Sequence, residues 1–463
     1  MFLRQTRHVS VFFICRFSTY FIFCKGTIKQ ETTKYSEWVN KLSKKKNGTK
    51  NIIALASVPL VMTLGNSMLI PVLPMIEKKL SISSFQVSLI ITVYSIVAII
   101  CIPIAGYLSD KFGRKKVLLP CLLIAGAGGA LAAIASTAFK HPYPIILAGR
   151  VLQGIGSAGA APVVMPFIGD LFKGDDERIT AGLGDIETSN TAGKVISPIL
   201  GSLLAAWFWF MPFWFIPFFS LISFFLVLFL VAKPEEQKEA PSISEFVKNV
   251  GRIFKRDGRW LFTVFIIGCV IMFLLFGVLF YLSDSLEKKY GIDGVAKGAL
   301  LAIPLLFLSV SSYIAGRKIG KDQGKMKFCI VFGMSAVTLS FIGLWWNHSF
   351  YLLFIFLCVS GIGIGMALPA LDAVITEGVD NEESGTITSF YNSMRFIGVA
   401  AGPPIFAALM SNAGWLIFIL SAFCGIVSVF LALLNISSQS KRKKGIIKDG
   451  VICTVFFLFY FED

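Results

Sequence analysis

Long apolar runs separated by short polar ones extend along almost the whole chain. Twelve such runs fall at roughly 51–76, 85–108, 116–139, 143–171, 180–206, 210–232, 260–283, 295–317, 327–346, 350–376, 384–410 and 414–436. Stretches such as "PIILAGRVLQGIGSAGAAPVVMPFIGDLF" approach or exceed the ~20 residues that cross a hydrocarbon core. In lipid the backbone satisfies its own polar groups, and the helix does so within one segment. The pattern therefore predicts an all-α integral membrane protein with twelve transmembrane helices.

The polar links alternate in character. "SDKFGRKK", "KPEEQKEAPSISEFVKNVGRIFKRDGRW", "GRKIGKDQGKMK" and the late "KRKK" are basic, whereas "KHPYP", "NHS" and the mixed "SDSLEKKYGIDG" fall between them. The excess of Lys and Arg predicts that the basic side is cytoplasmic, so the first helix runs from inside to outside and both ends of the helical core are cytoplasmic in a plasma membrane. The longest charged link divides the chain into a bundle over 51–232, a linker over 233–259 and a second bundle over 260–438. The later part of that link can form a basic amphipathic helix on the inner leaflet. Residues 1–50 and 439–463 remain as a basic, partly apolar extension and a tail. Neither "VSVFFICRFSTYFIFC" nor "VICTVFFLFYFED" spans comfortably, and both are expected to be peripheral.

The two bundles read as repeats. "QGIGSAGAAP" (153–162) aligns without gaps to "SGIGIGMALP" (360–369), with five of ten positions identical, and "GKVISP" (193–198) aligns to "GVAAGP" (398–403). Repeated six-helix halves with a site between them characterise many secondary transporters.

Composition narrows the chemistry. Hydrophobic residues make up 55% of the 463 and charged ones only 15%, with a net charge of +16. Because the basic residues sit in links between apolar runs, they read as topology signals and not as a nucleic-acid surface. The 9 cysteines are scattered without a C-x-x-C pair, which argues against a metal site or a disulfide framework. No phosphate loop or nucleophile–base arrangement stands out, so neither an enzyme nor an ATP-driven pump is expected, and no cofactor.

Charges inside the apolar runs carry more information. Glu187, Asn190 and Lys194, continued by Ser197 and Gly201, recur at three- and four-residue spacing and share one helix face. An unpaired charge near a helix centre costs about 2.5–3.5 kcal/mol or more, so this face is expected to border a hydrated cavity or internal partners. Arg150 in the fourth segment is another buried cation. Asp372, Glu377, Asp170 and Asp185 are candidate acids, with Asp170 and Glu377 expected at the interface. "WFWFMPFWF" (207–215) reads as an interfacial aromatic belt.

The link "GYLSDKFGRKKV" (106–117) has the spacing G-x-x-x-D-x-x-G-R-K. Gly106 and Gly113 permit close backbone approach, Asp110 can meet an arginine or a helix N-terminus, and Arg114 and Lys115 face the inner surface. This stretch resembles the signature loop of the major facilitator superfamily, and its counterpart over 316–327 is degenerate. "LGNSMLIPVLP" (64–74), "GRVLQGIG" (149–156) and "GKVISPILGS" (193–202) resemble motifs of the twelve-helix drug:proton antiporters in helices one, four and five. In the last, Ser197 and Ser202 replace glycines.

The resemblance implies two six-helix bundles that rock about a central site. It implies a proton-coupling role for Arg150, and a ridge of Gly193, Ser197 and Gly201, bent at Pro198, packed against the other half near the outer face. Where some relatives carry an acid in helix one, this chain has Asn66, which shifts proton loading to Glu187, with Asp372 second. The expected function is proton-coupled efflux of small amphipathic compounds by a protein working as a monomer in the bilayer. The alternatives are a dedicated exporter of an anionic metabolite such as a catecholate siderophore, for which the cation at Lys194 is the motive, and a receptor on the same fold that does not transport.

Overall fold

The computed structural model describes residues 48–436 apart from 174, 232–242, 321, 347–348 and 380. The chain divides into Met1–Ile53 and Ala54–Asp463, and the account concerns the second unit. The proposed N-terminal extension, the C-terminal tail and the centre of the linker lie outside the described residues.

The described elements are helical, in the order α1 (Gly48–Leu80), α2 (Ser84–Phe112), α3 (Arg114–Ala138), α4 (Tyr143–Leu171), α5 (Asp176–Trp207), α6 (Met211–Leu230), α7 (Ile243–Lys288), α8 (Gly294–Ile319), α9 (Gln323–Trp346), α10 (Phe350–Gly378), α11 (Asn381–Asn412) and α12 (Leu416–Asn435). Among the described residues eleven of these are long and apolar enough to cross a bilayer on their own composition; α5 is the exception. Its charged face needs the neighbouring helices as solvent.

Local sequence explains the breaks. In α1, Pro71 and Pro74 remove two backbone donors, and Ile70–Val72 tightens into a 3-10 turn before Leu73–Leu80 resumes. Ser83 starts α2 through a capping box, its Oγ accepting from Gln86 N at 3.2 Å while Gln86 Oε1 accepts from Ser83 N at 2.9 Å. α2 ends and α3 begins on Gly113, whose φ of 100° suits glycine. At the linker the structure departs from expectation. Residues from Ile243 onward form one helix with the seventh span, so 243–259 belongs to α7. Phe254, packed on Phe262, Phe265 and Phe390, and Trp260, against Gly378, tie that extension to the helices beside it.

The repeat is written in the packing. α3 lies on α4 and α6, and α2 on α4; in the second half α9 lies on α10 and α12, and α8 on α10. Aligned glycines do the same work in both halves. Gly154 meets the Tyr94 carbonyl of α2 and Gly361 the Pro304 carbonyl of α8; Gly156 lies against the backbone of α3 and Gly363 against that of α9. Gly193 meets Leu60 and Thr63 of α1, and Gly398 meets Cys269 and Phe273 of α7. Even the lysine caps correspond: Lys115 Nζ donates to the Leu228 and Val231 carbonyls at the end of α6, and Lys327 Nζ to the Leu433 carbonyl of α12 at 2.8 Å. The halves join along α2–α11 and α5–α8. Apolar side chains turned away from these seams, such as Phe229 at 75% exposure, are positioned to meet lipid chains.

Candidate functional site

At the basic end, the α2–α3 turn is held by one guanidinium. Arg114 pairs with Asp110 at 2.5 Å and with Asp170 of α4 at 3.0 Å, and donates to Ser109 Oγ at 2.7 Å. The expected meeting of Asp110 with an arginine is made within the same loop. Asp170, expected at an interface, is the second acid of the cluster. Gly106 faces Ser389 of α11, so this turn also lies where the halves approach. Lys115 caps α6, so it does not simply face the inner surface.

Between the halves is a central cavity of about 180 Å³. Its walls come from α1, α2, α4 and α5 on one side and α7, α8 and α11 on the other. The predicted polar face of α5 turns into it, since Glu187, Asn190, Lys194 and Ser197 all line it, as does Asn66. Glu187 is partnered within its own helix, with Thr191 Oγ1 at 3.4 Å and Asn190 Nδ2 at 3.5 Å. Asn190 Oδ1 accepts from Thr63 Oγ1 at 2.7 Å, tying α5 to α1. Lys194 differs: its Nζ is shielded from the surface and has no hydrogen-bond partner among the described residues. An unpaired charge at such depth is costly, which makes this ammonium the group in the cavity most in need of an anion.

Two further cavity residues escaped the sequence reading. Arg395 and Asn392 of α11 line the wall opposite α5. Arg395 lies over the Tyr391 ring at 5.5 Å and pairs with Asp372 of α10 at 3.7 Å. Asp372 is therefore drawn into the site through Arg395 and is not itself among the lining residues. An arginine within "SFYNSMRFIG" carries no spacing signal, but its place three residues before the "GVAAGP" repeat could have drawn attention to it.

Arg150 sits behind the wall. It is fully buried, donating to the Ile90 carbonyl at 2.8 Å, the Gly65 carbonyl at 3.2 Å, Gln153 Oε1 at 2.5 Å and Asn66 Oδ1 at 2.5 Å, with its guanidinium 4.5 Å from the Tyr94 ring centre. These acceptors occupy the guanidinium, and Arg150 is not among the residues that line the cavity. It orients Asn66 and Tyr94, which do face the cavity.

The α5 ridge also packs differently from expectation. Gly193 and Gly201 lie against α1 of the same half, Gly201 directly on the Met68 carbonyl. The neighbouring face, the Pro198 carbonyl with Ser202, meets the other half at Gly298 of α8. The two glycines lie eight residues apart on one stripe, and that stripe is used by the closest backbone, which is α1.

The end opposite the basic loops carries a set of charges absent from the sequence motifs. Lys78 pairs with Glu287 at 2.7 Å and Lys288 with Glu77 at 3.0 Å, each joining α1 to α7. Lys297 of α8 pairs with Glu287 at 2.6 Å, and Lys288 with Asp284 at 2.7 Å. Ser283 Oγ donates to the Ile70 carbonyl at 3.1 Å just beneath. The alternating acids and lysines of "SDSLEKK" were the visible signal; their partners on α1 and α8 were not.

Known proteins resemble most of this chain. The Bacillibactin exporter of Bacillus subtilis (strain 168) is 79% identical over 395 residues, covering 85% of this chain and 98% of that protein. The class C tetracycline resistance protein of Escherichia coli is 26% identical over 383 residues, covering 79% and 90%. Among solved structures, a human organic anion transporter superposes with a TM-score of 0.66 at 18% identity, covering 83% of this chain and 99% of its own. Residues 55–346 and 285–460 match the Major Facilitator Superfamily profile. Two repeated six-helix sets, the Asp110–Arg114 turn and the cavity at their seam agree with that match: the chain is a multi-pass membrane transporter of the major facilitator superfamily.

Proposed function

We propose that this transporter exports a siderophore of the bacillibactin kind. The observation that carries the reading is the 79% identity to the Bacillibactin exporter across 98% of that protein. The chemistry of the cavity lining suits such a cargo. Its walls combine aromatic and apolar side chains, among them Met62, Tyr94, Phe276 and Phe396, with the polar groups of Asn66, Asn190, Lys194 and Arg395. Rings pack on the former, and oxygens meet the donors of the latter.

In this reading the basic end is cytoplasmic, in keeping with the positive-inside bias, and the transporter works in the plasma membrane. Export proceeds by alternating access, in which α1–α6 and α7–α12 rock about the α2–α11 and α5–α8 seams. The coupling ion is the proton, with Glu187 and Asp372 as the carboxylates nearest the cargo. The direct experiment reconstitutes the full chain in proteoliposomes, imposes a pH gradient and follows metal-free bacillibactin. Gradient-dependent accumulation supports the reading; its absence, with transport of tetracycline or cationic dyes instead, overturns it.

That second reading, broad drug efflux, is favoured by one observation. The class C tetracycline resistance protein aligns over 79% of the chain at 26% identity, and the largely apolar cavity wall suits amphipathic drugs. The lower identity ranks it second.

A further inference from the structure

We infer that Lys194 and Arg395 form a two-sided cation clamp that recognises the anionic oxygens of an aromatic cargo and ties the two halves together through it. The identity of that cargo rests on the export reading above; the clamp itself rests on geometry.

Lys194 projects from α5 in the first half and Arg395 from α11 in the second, and both line the one cavity between them. Their present partners do not use them up. Lys194 Nζ is buried without a hydrogen-bond partner among the described residues. Arg395 has Asp372 at 3.7 Å, beyond hydrogen-bond range, and the Tyr391 ring at 5.5 Å. The nearby acid Glu187 already accepts from Thr191 and Asn190. By contrast Arg150 spends its donors on four neighbours and is closed to a ligand. The cavity therefore offers two under-used cations from opposite walls, with the rings of Phe276 and Phe396 beside them.

A buried ammonium and a guanidinium form strong charge-assisted bonds to oxygen anions, and the guanidinium fork suits paired oxygens. An aryl group with vicinal hydroxyl or carboxylate oxygens satisfies both features, its ring on the aromatic wall and its oxygens between the cations. A multi-armed cargo can place one arm on each cation. Because each half contributes one cation, such a cargo is bound best when the halves are close, which makes recognition part of the conformational cycle.

The test measures binding to the full-length protein in lipid nanodiscs for metal-free bacillibactin and for its O-methylated analogue, whose catechol oxygens can no longer ionise or donate. Wild type should prefer the unmethylated compound by about tenfold or more. Lys194→Gln and Arg395→Gln should each weaken bacillibactin binding by about tenfold and leave the methylated analogue unaffected, erasing the preference. Lys194→Arg, which keeps the charge, should recover most of it and guards against misfolding. Equal binding of bacillibactin by wild type and both Gln variants overturns the clamp while leaving the export reading intact. If wild type fails to take up bacillibactin, the export reading fails, and 2,3-dihydroxybenzoate becomes the probe. Its loss of binding in Lys194→Gln sustains the clamp, and unchanged binding overturns it.

Discussion

Lys78 on α1 and Glu287 on α7 meet at 2.7 Å, and Glu287 holds Lys297 of α8 at 2.6 Å in the same breath of space. One carboxylate thus binds a lysine from each half. The two pairs differ in weight. Lys78 is 61% exposed and its pair resembles a surface bridge, worth about 1 kcal/mol or less. Lys297 and Glu287 are 3% and 9% exposed, and stripping one partner from a buried pair costs about 3–5 kcal/mol because the other charge is stranded.

Glu287→Gln should therefore loosen the end of the cavity away from the basic loops. A cysteine placed at Ser67, which lines the cavity, should react with a membrane-impermeant thiol reagent added from that side at least about tenfold faster in the Glu287→Gln background. The reagent test is performed with the six described native cysteines, Cys101, Cys121, Cys269, Cys329, Cys358 and Cys424, together with the other cysteines of the chain, replaced by serine or alanine. Unchanged reactivity would show that the ion pairs decorate a seal made by packing alone.

At the basic end the same logic runs through a single side chain. Arg114 contacts Asp110, Asp170 and Ser109, and only a planar fork with several donors reaches all three. Arg114→Lys keeps the charge but can satisfy fewer of these positions. Transport should fall by about tenfold or more in Arg114→Ala and remain low in Arg114→Lys, with membrane insertion retained in both. Rates in proteoliposomes, normalised to inserted protein, provide the check. Full activity in the lysine variant would reduce the cluster to simple charge neutralisation.

The fold was legible because lipid makes the sequence speak plainly: apolar length sets each span, and basic links mark one side. The repeated "QGIGSAGAAP" and "SGIGIGMALP" stretches were readable too, since a glycine that must meet a neighbouring backbone leaves little choice of residue. The α5 charges were findable because their cost in lipid demanded an explanation. What stayed hidden were relationships across long sequence distance. Arg395 has meaning only beside Asp372 and opposite Lys194, and the α1–α7 ion pairs join residues some two hundred positions apart. Arg150 was found, but the sequence could not say that backbone carbonyls and two amides would absorb its donors.

Glycine packing on α5 gives a stability prediction with an internal control. A Cβ at Gly201 would collide with the Met68 carbonyl of α1, a backbone atom that cannot step aside. At Gly169 in α4 a Cβ would meet nothing within 4 Å. Gly201→Ala should lower stability by about 1–3 kcal/mol through overpacking, whereas Gly169→Ala should be neutral or raise it by up to about 1 kcal/mol through helix propensity. Thermal unfolding in detergent, followed by loss of monodisperse protein, separates the two. Equal midpoints would mean that α1 and α5 are not in close contact in solution.

The test of proton coupling turns on which carboxylate the cargo meets. Glu187 lines the cavity and is held only by weak bonds from Thr191 and Asn190 at 3.4 and 3.5 Å. Asp372 stands beside Arg395 instead and is reached through it. Protonating Glu187 removes a negative charge from the cavity wall without breaking an ion pair, while protonating Asp372 releases Arg395. The first event is the simpler one to couple to loading and unloading of cargo. Glu187→Gln, a permanent mimic of the protonated form, should abolish accumulation driven by an imposed pH gradient, while exchange of cargo across the membrane without a gradient continues at a reduced rate. Asp372→Asn should instead depress both, since it leaves Arg395 without its carboxylate and alters the binding wall. Gradient-driven accumulation that survives Glu187→Gln would transfer the proton to Asp372, and accumulation that survives both substitutions together would remove protons from the cavity altogether.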